Sequence, residues 1–278
     1  VVAIGSCFAS NISNTLRAKN LPATHSHFAE DINSPLGLLS LLVGIQDIDG
    51  HTAAMQKYYA DIIEEDSPDC AWDVKAIHDY IDHENKRMST LLSDLQTCNC
   101  VILTLGNSLE WCSSIDLFSE LKVDSWIAME IYNTRLKGIP GRRRVNDFRR
   151  QASHALSSSA ISASLKVLRS FTESPIICTV SPIPIRGISG LSGDFSRSAI
   201  SENNLCKSTL RSALNEVMCN DELKNVFYFP SFEIATEVAQ RIPGLGFGND
   251  DSNSRHLDQE IIKGICDFFV FKCFPSSQ

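Results

Sequence analysis

The chain has 278 residues, of which 43% are hydrophobic and 21% charged, and its formal net charge at pH 7 is −8. The composition is that of a globular protein with one large domain or two small ones. The acidic balance argues against a nucleic-acid binder, whose surface is usually basic. No apolar stretch is long enough to span a bilayer and no secretory signal is recognisable, so a cytoplasmic protein is expected.

Short apolar runs alternate with stretches of helical periodicity along the chain. Predicted strands cover residues 1–4, 101–104, 176–180 and 226–229, and predicted helices cover 10–19, 84–97, 161–168, 205–218 and 257–268. This alternation is typical of a parallel sheet with helices on both faces. We therefore predict one domain over residues 1–278: a three-layer α/β/α sandwich with a mostly parallel, flavodoxin-like sheet of about five strands. Insertions are expected near residues 45–83 and 112–152.

Cysteines and histidines are the residues of this chain that could bind a transition metal. Cysteines such as Cys178 and Cys266 follow isoleucines, and we predict reduced thiols that behave as small buried side chains. Cys98-Asn99-Cys100 lacks the spacing and the second ligand pair of a zinc site. His25 and His27, with Glu30 and Asp31 nearby, suggest either a metal site or the exposed edge of a strand. No third ligand is suitably spaced, so we predict no metal and no cofactor.

The segment Gly5-Ser6-Cys7-Phe8-Ala9 directly follows the first predicted strand. A serine at this position lies at the carboxyl edge of the sheet, where open α/β sheets bind ligands. It serves either as a helix N-cap or as a nucleophile whose oxyanion meets free main-chain N–H groups. Neighbouring residues at a helix start point in different directions, so Ser6 is predicted to face the site and Cys7 to pack inward with Phe8.

Six blocks in order resemble the GSCFA family, which is placed within the SGNH hydrolase superfamily. They are Gly5-Ser6-Cys7-Phe8-Ala9, Asn33-Ser34-Pro35, Leu103-Thr104-Leu105-Gly106 with Trp111, Thr179-Val180-Ser181-Pro182-Ile183-Pro184, Lys207 to Arg211 with Tyr228 to Ile234, and Arg255-His256. The resemblance covers nearly the whole chain. It implies a serine-dependent ester hydrolase or O-acyltransferase, with a small-molecule ester or a glycan as its substrate.

The resemblance also assigns the catalytic residues. Ser6 is the nucleophile and His256, which precedes the last predicted helix, is the base. SGNH hydrolases usually carry an aspartate three residues before this histidine, but that position is Asn253 here. Either Asp251 or its neighbour Asp250 orients the imidazole, or a main-chain carbonyl does so and the enzyme works with a dyad.

Three residues are candidates for stabilising the oxyanion or binding substrate. Gly106 and Asn107 follow a predicted strand, so that a main-chain N–H and a carboxamide can converge there. The superfamily usually has Gly-x-Asn in this block, whereas this chain has Ser108 at the third position. Asn33 matches the asparagine of the family, although an asparagine before Pro35 is also a common turn residue.

Further charged residues leave the function open. Arg142, Arg143, Arg144, Arg149 and Arg150 are either a solvated surface or a site for an anionic substrate. Lys207, Arg211 and Glu233 are interpreted as structural ion pairs with a substrate role as the alternative. The shifted aspartate and the missing Gly-x-Asn also allow a second hypothesis, a binding or scaffold module that kept the fold without the chemistry.

Overall fold

The computed structural model describes residues 1–28, 33–65, 74–112, 148–185, 199–219, 223–246 and 257–274. Five strands form one sheet: β1 (Val2–Gly5), β2 (Thr24–His27), β3 (Val101–Leu105), β6 (Ile176–Val180) and β7 (Val226–Tyr228). Their order is β2-β1-β3-β6-β7 and every neighbouring pair is parallel. The predicted five-stranded sheet with the flavodoxin-like order is confirmed.

Helices cover both faces of this sheet. Their bounds are α1 (Cys7–Ala18), α2 (Pro35–Gln46), α3 (Ile48–Glu65), α4 (Val74–Thr97), α5 (His154–Phe171), α6 (Ala199–Met218), α7 (Ser231–Glu233) and α8 (Gln259–Cys273). The short α7 continues directly into a π-helical turn, Ile234–Val238, and a 3-10 turn, Ala239–Arg241. No helix in the described part of the chain is long and apolar enough to cross a membrane.

Strand alternation divides the core into two layers. Val2 and Ile4 point to the face covered by α2, α4, α5 and α6. Ala3, between them, points to the opposite face, where it packs with Phe8 of α1 and Ile265 of α8. Successive side chains of a strand face opposite ways, so each strand contributes to both layers. The arrangement is a three-layer α/β/α sandwich.

The two predicted insertions contain additional elements. Residues 48–65 form α3, and α4 begins at Val74, ten residues before the helix that the sequence predicts. Ile77 and Ile81 continue the buried stripe of α4 toward its N-terminus. At the two ends of the stretch predicted as a second insertion, near residues 112–152, β4 (Leu109–Cys112) and β5 (Phe148–Gln151) form a separate antiparallel pair. Residues 113–147 between these strands lie outside the described residues.

Candidate active site

The turn that follows β1 depends on a glycine. Gly5 has a φ of +148°, and a Cβ at this position would lie 2.8 Å from Cβ of Thr104 in β3. A glycine is required because a side chain would strain this backbone and separate two neighbouring strands. Ser6 comes next and is the N-cap residue of α1. The glycine therefore lets Ser6 lie at the carboxyl edge of the sheet, beside the end of β3.

The Ser6 hydroxyl is not used to cap its own helix. The side chain makes no capping hydrogen bond, and the residue is 4% exposed. The N–H groups in the first turn of a helix have no partner within the helix. A charge that develops on a group bound to Ser6 Oγ would therefore lie near main-chain donors and the positive end of the α1 dipole.

Two hydrogen bonds fix the carbonyl of Gly5. Phe28 N–H donates to this oxygen at 3.0 Å, and His25 Nε2 lies 2.9 Å from it. Because a carbonyl only accepts, His25 carries its proton on Nε2. The rings of His25 and His27 lie 5.9 Å apart, centroid to centroid. Burial, followed by the neighbouring His25 and Arg87, lowers the pKa of His27. These contacts hold the strand end that carries Ser6.

Asn33 lies at the end of β3. Its main-chain carbonyl accepts hydrogen bonds from the N–H groups of Gly106 at 3.1 Å and Asn107 at 2.9 Å. The residue is 1% exposed, and its Nδ2 has no hydrogen-bond partner among the described residues. A buried donor without a partner is costly in a folded protein and marks a site where a ligand can supply the acceptor.

The structure separates the three oxyanion candidates. The N–H groups of Gly106 and Asn107 are both donated to Asn33, and so they are occupied in this structure. Oδ1 of Asn107 accepts from the N–H of Leu109 at 2.9 Å, which ties that carboxamide to its own loop. Of these groups, the Nδ2 of Asn33 is the buried donor that has no hydrogen-bond partner among the described residues.

The position of Asn33 is supported by a buried carboxylate that the sequence analysis missed. Glu110 in β4 is 2% exposed. Its carboxylate accepts from Ser34 Oγ at 2.5 Å and from Leu36 N–H at 3.1 Å, at the N-terminus of α2. Negative charge is favourable at this end of a helix. Glu110 and Ser34 are 76 residues apart in the chain, so no local pattern signals their contact.

Lys207 in α6 supports the same loop from the other side. The residue is 1% exposed, and its Nζ donates to the carbonyl of Gly106 at 2.5 Å. The predicted ion pair is formed by its neighbours: Arg211 Nε lies 2.8 Å from Glu233, which also accepts from the hydroxyl of Tyr228. Lys207 therefore contacts the candidate site, whereas Arg211 belongs to a separate, half-exposed cluster.

Cys7 does not pack inward as the sequence analysis predicted. Its side chain is exposed, whereas Phe8 and Ile12 are buried. Consecutive helical residues are about 100° apart around the axis, so the residue before Phe8 falls on the opposite side of the buried stripe. Of the other cysteines, four are buried and reduced, as the apolar runs predict: Cys100, Cys178, Cys206 and Cys266.

His256, Asp251, Asp250 and Asn253 lie outside the described residues, as do Arg142 to Arg144, Glu30 and Asp31. The described chain resumes at Leu257, which is fully buried in the same layer as Phe8. Asp258 then begins α8, and its carboxylate accepts from Gly246 N–H at 2.7 Å. Among the described residues there is no group of three or more side chains suited to a metal ion.

Helix α8 packs beside α1, the helix that Ser6 begins. Phe8, Ile12 and Leu16 of α1 share one buried layer with Ile265 and Phe269 of α8. Near the C-terminal ends of the two helices, Lys19 lies 3.0 Å from Asp267. The segment that precedes α8 therefore joins a helix that is in contact with α1.

Another depression lies at the free edge of the sheet, between β2 and α4. It has a volume of about 250 Å³ and is lined by residues that include His25, His83, Lys86, Arg87 and Asp94. Both signs of charge are present, and Arg87 is paired with Glu84 at 2.7 Å. The charges therefore do not favour one class of ligand there.

Comparison with protein-family models identifies a family for this chain. The family model described as the GSCFA family covers residues 1–269. No curated protein and no solved structure matches the chain.

Proposed function

The chain belongs to the GSCFA family, and from this premise we propose that it is a serine-dependent ester hydrolase or O-acyltransferase of the SGNH hydrolase superfamily. Ser6 is the nucleophile and His256 the general base. The observation that carries the proposal is the arrangement at the switch between β1 and β3. The hydroxyl of Ser6 follows one strand, and the buried Nδ2 of Asn33, which has no partner in the part of the chain that the structure describes, is fixed at the end of the next.

The chemistry follows from these groups. Ser6 Oγ attacks the carbonyl carbon of an ester while His256 takes the hydroxyl proton. The negative charge on the carbonyl oxygen is stabilised by Nδ2 of Asn33 and by N–H groups in the first turn of α1. The tetrahedral intermediate then collapses to an acyl-serine, and the alcohol leaves with the proton from His256. A second nucleophile releases the acyl group by the same steps.

The base is supported by the position of α8. His256 comes two residues before Asp258, the N-cap of α8, and α8 packs with α1, the helix that Ser6 begins. The proposed mechanism requires the imidazole to come within hydrogen-bond reach of Ser6 Oγ. In the proposed mechanism Asp251 or Asp250 orients the imidazole, or a main-chain carbonyl does so and a dyad suffices.

The hydrolase and the transferase differ in the second nucleophile. Water gives a hydrolase, and a sugar hydroxyl gives an O-acyltransferase acting on a carbohydrate. Both use the same acyl-serine, so the two are separated by incubating the enzyme with an activated acyl ester and an oligosaccharide acceptor. Acylated oligosaccharide in the product mixture identifies the transferase, and free acid alone identifies the hydrolase.

The nucleophile is tested by covalent labelling with a fluorophosphonate probe. The wild-type protein is expected to be labelled and Ser6→Ala to remain unlabelled. The matched control is Ser10→Ala, which removes a hydroxyl one turn later on the same helix and is expected to label like wild type. Folded wild-type protein that takes up no probe would reject the enzyme and favour the binding or scaffold module.

The base is tested by the turnover of p-nitrophenyl acetate. His256→Ala is expected to lower kcat by about 10²- to 10⁴-fold, the usual contribution of a general base. His154→Ala is the control, because His154 is 45% exposed and pairs with Glu216 at the surface. Equal turnover in wild type and His256→Ala would exclude His256 as the base.

A further inference from the structure

The peptide group between Gly106 and Asn107 connects Lys207 to Asn33. Its carbonyl oxygen accepts from Lys207 Nζ at 2.5 Å, and its N–H donates to the main-chain carbonyl of Asn33 at 2.9 Å. The two bonds lie on opposite sides of one planar amide. A cation on the carbonyl side polarises the amide and strengthens the bond that its N–H donates. Lys207 and Asn33 are therefore coupled through a single peptide group.

The burial of Lys207 explains why its ammonium group binds this peptide carbonyl. Its side chain is 1% exposed, and an ammonium group that leaves water needs strong acceptors in compensation. The Gly106 carbonyl is one such acceptor, and the side chain of Asn33 lies against the same residue. The carboxylate of Glu233 is paired with Arg211, one turn later on α6.

We propose that Lys207 is a positioning residue for Asn33: through the Gly106–Asn107 peptide it holds the Asn33 backbone so that Nδ2 points at the oxyanion. This inference rests on the proposed function for its effect on turnover, but the hydrogen-bond chain is independent of it. Glu110, bound to Ser34 Oγ and Leu36 N–H, secures the other side of Asn33. Neither residue needs to touch the substrate.

The first experiment measures amide hydrogen exchange in Lys207→Met. The amides of Gly106 and Asn107, which both donate to Asn33, are expected to exchange at least tenfold faster than in wild type. The amide of Phe229 is the internal control, because it donates to Cys178 within the same sheet and neither residue takes part in this chain of bonds. Unchanged exchange at Gly106 and Asn107 would overturn the inference, whether or not the protein is an esterase.

The second experiment measures p-nitrophenyl acetate turnover in a double-mutant cycle. Lys207→Met is expected to lower kcat by about tenfold or more and to leave KM within twofold, because an oxyanion donor acts in the transition state. In an Asn33→Ala background the same substitution should change kcat by less than threefold, since the group that Lys207 positions is gone. An equal loss in both backgrounds would show that Lys207 acts elsewhere.

Controls separate this role from a loss of folding. Arg211→Met removes a cation one turn later on α6 without touching Gly106, and it is expected to change neither the exchange nor the turnover. Lys207→Gln retains a neutral donor and is expected to fall between wild type and Lys207→Met. If neither Lys207 variant folds, amide exchange in the wild-type protein provides the test. An Asn107 amide that exchanges as fast as an unprotected amide would refute the proposed chain of hydrogen bonds. Wild-type protein without esterase activity would refute the proposed function alone.

Discussion

The side chain of Asn33 lies directly against Gly106. A Cβ added to Gly106 would come within 3.0 Å of both Cγ and Nδ2 of Asn33. Real Cβ atoms rarely approach other atoms so closely, and the interior around Asn33 is closely packed. The glycine therefore provides the space in which the unpaired carboxamide is held. Residue 106 is a glycine because a side chain there would collide with Asn33, and its backbone conformation does not itself require a glycine.

Gly106→Ala is accordingly expected to displace Asn33 and to reduce ester turnover. We expect kcat to fall by at least tenfold and the free energy of unfolding to fall by about 1–3 kcal/mol, the usual cost of overpacking. Gly264→Ala is the matched control, because a Cβ there meets nothing within 4 Å. This substitution within α8 should stabilise the protein by roughly 0.5–1 kcal/mol and leave turnover unchanged. Ester turnover and urea unfolding are measured for both variants. Full activity in Gly106→Ala would contradict the role of Asn33 as the oxyanion donor.

Asn33→Ala should separate activity from stability. The removed Nδ2 has no partner among the described residues, so little folding energy is lost with it, and we expect a change below about 1 kcal/mol. The loss of an oxyanion donor should lower kcat by about 10²- to 10³-fold. Asn107→Ala gives the contrast, because its Oδ1 bond to Leu109 is lost and stability should fall by about 1 kcal/mol. A larger loss of kcat in Asn107→Ala than in Asn33→Ala would reverse the assignment.

The sequence predicted the sheet well because its signals are local. The run Ile176 to Val180 is continuous, apolar and ended by Pro182, and it forms the buried strand β6. Ser6 was placed at the sheet edge by the same reasoning, from the Gly5-Ser6 step between an apolar run and a helix. Such features need only the residues on either side of them.

The contacts that select among the site residues are not local. Lys207 lies 101 residues from the Gly106 carbonyl that it binds, and Glu110 lies 76 residues from Ser34. Local patterns therefore identify Asn33, Gly106 and Asn107 as candidates for the oxyanion site but do not distinguish their roles. The interior position of Glu110 is likewise set by tertiary packing, which brings β4 against the start of α2. Local sequence patterns therefore do not predict this contact.

The cysteines should react with iodoacetamide according to their burial. Cys7 and Cys219 are exposed, whereas Cys100 and Cys178 are buried, and burial raises the pKa of each of these two thiols to about 12. Because the thiolate is the reacting form, Cys7 and Cys219 are expected to be modified first at pH 7.5. Mapping by mass spectrometry checks the order. Early modification of Cys178 in folded protein would contradict the described core. Modification of Cys7 should also slow the labelling of the adjacent Ser6.

The stability of the protein should fall in acid because of His51. Burial lowers the pKa of this histidine to about 4, an effect that Glu84 partly opposes and Arg87 reinforces. The ring lies against Gly44 of α2, and its Nδ1 has no hydrogen-bond partner among the described residues. The folded protein therefore holds His51 neutral at a pH where the unfolded chain, with a pKa of about 6.5, already binds a proton.

The contribution of His51 is fully present above pH 6.5 and is lost as the pH falls toward 4, because the unfolded state binds more protons throughout that interval. Between pH 7 and pH 4.5 we expect wild type to lose about 2 kcal/mol more stability than His51→Leu, in which nothing titrates at this position. Urea unfolding at several pH values measures the difference. Gly264→Ala, which changes no titratable group, serves as the control and should leave the pH dependence of wild type in place. Parallel curves for wild type and His51→Leu would mean that the pKa of His51 is the same in the folded and unfolded protein, against the lowered value given above.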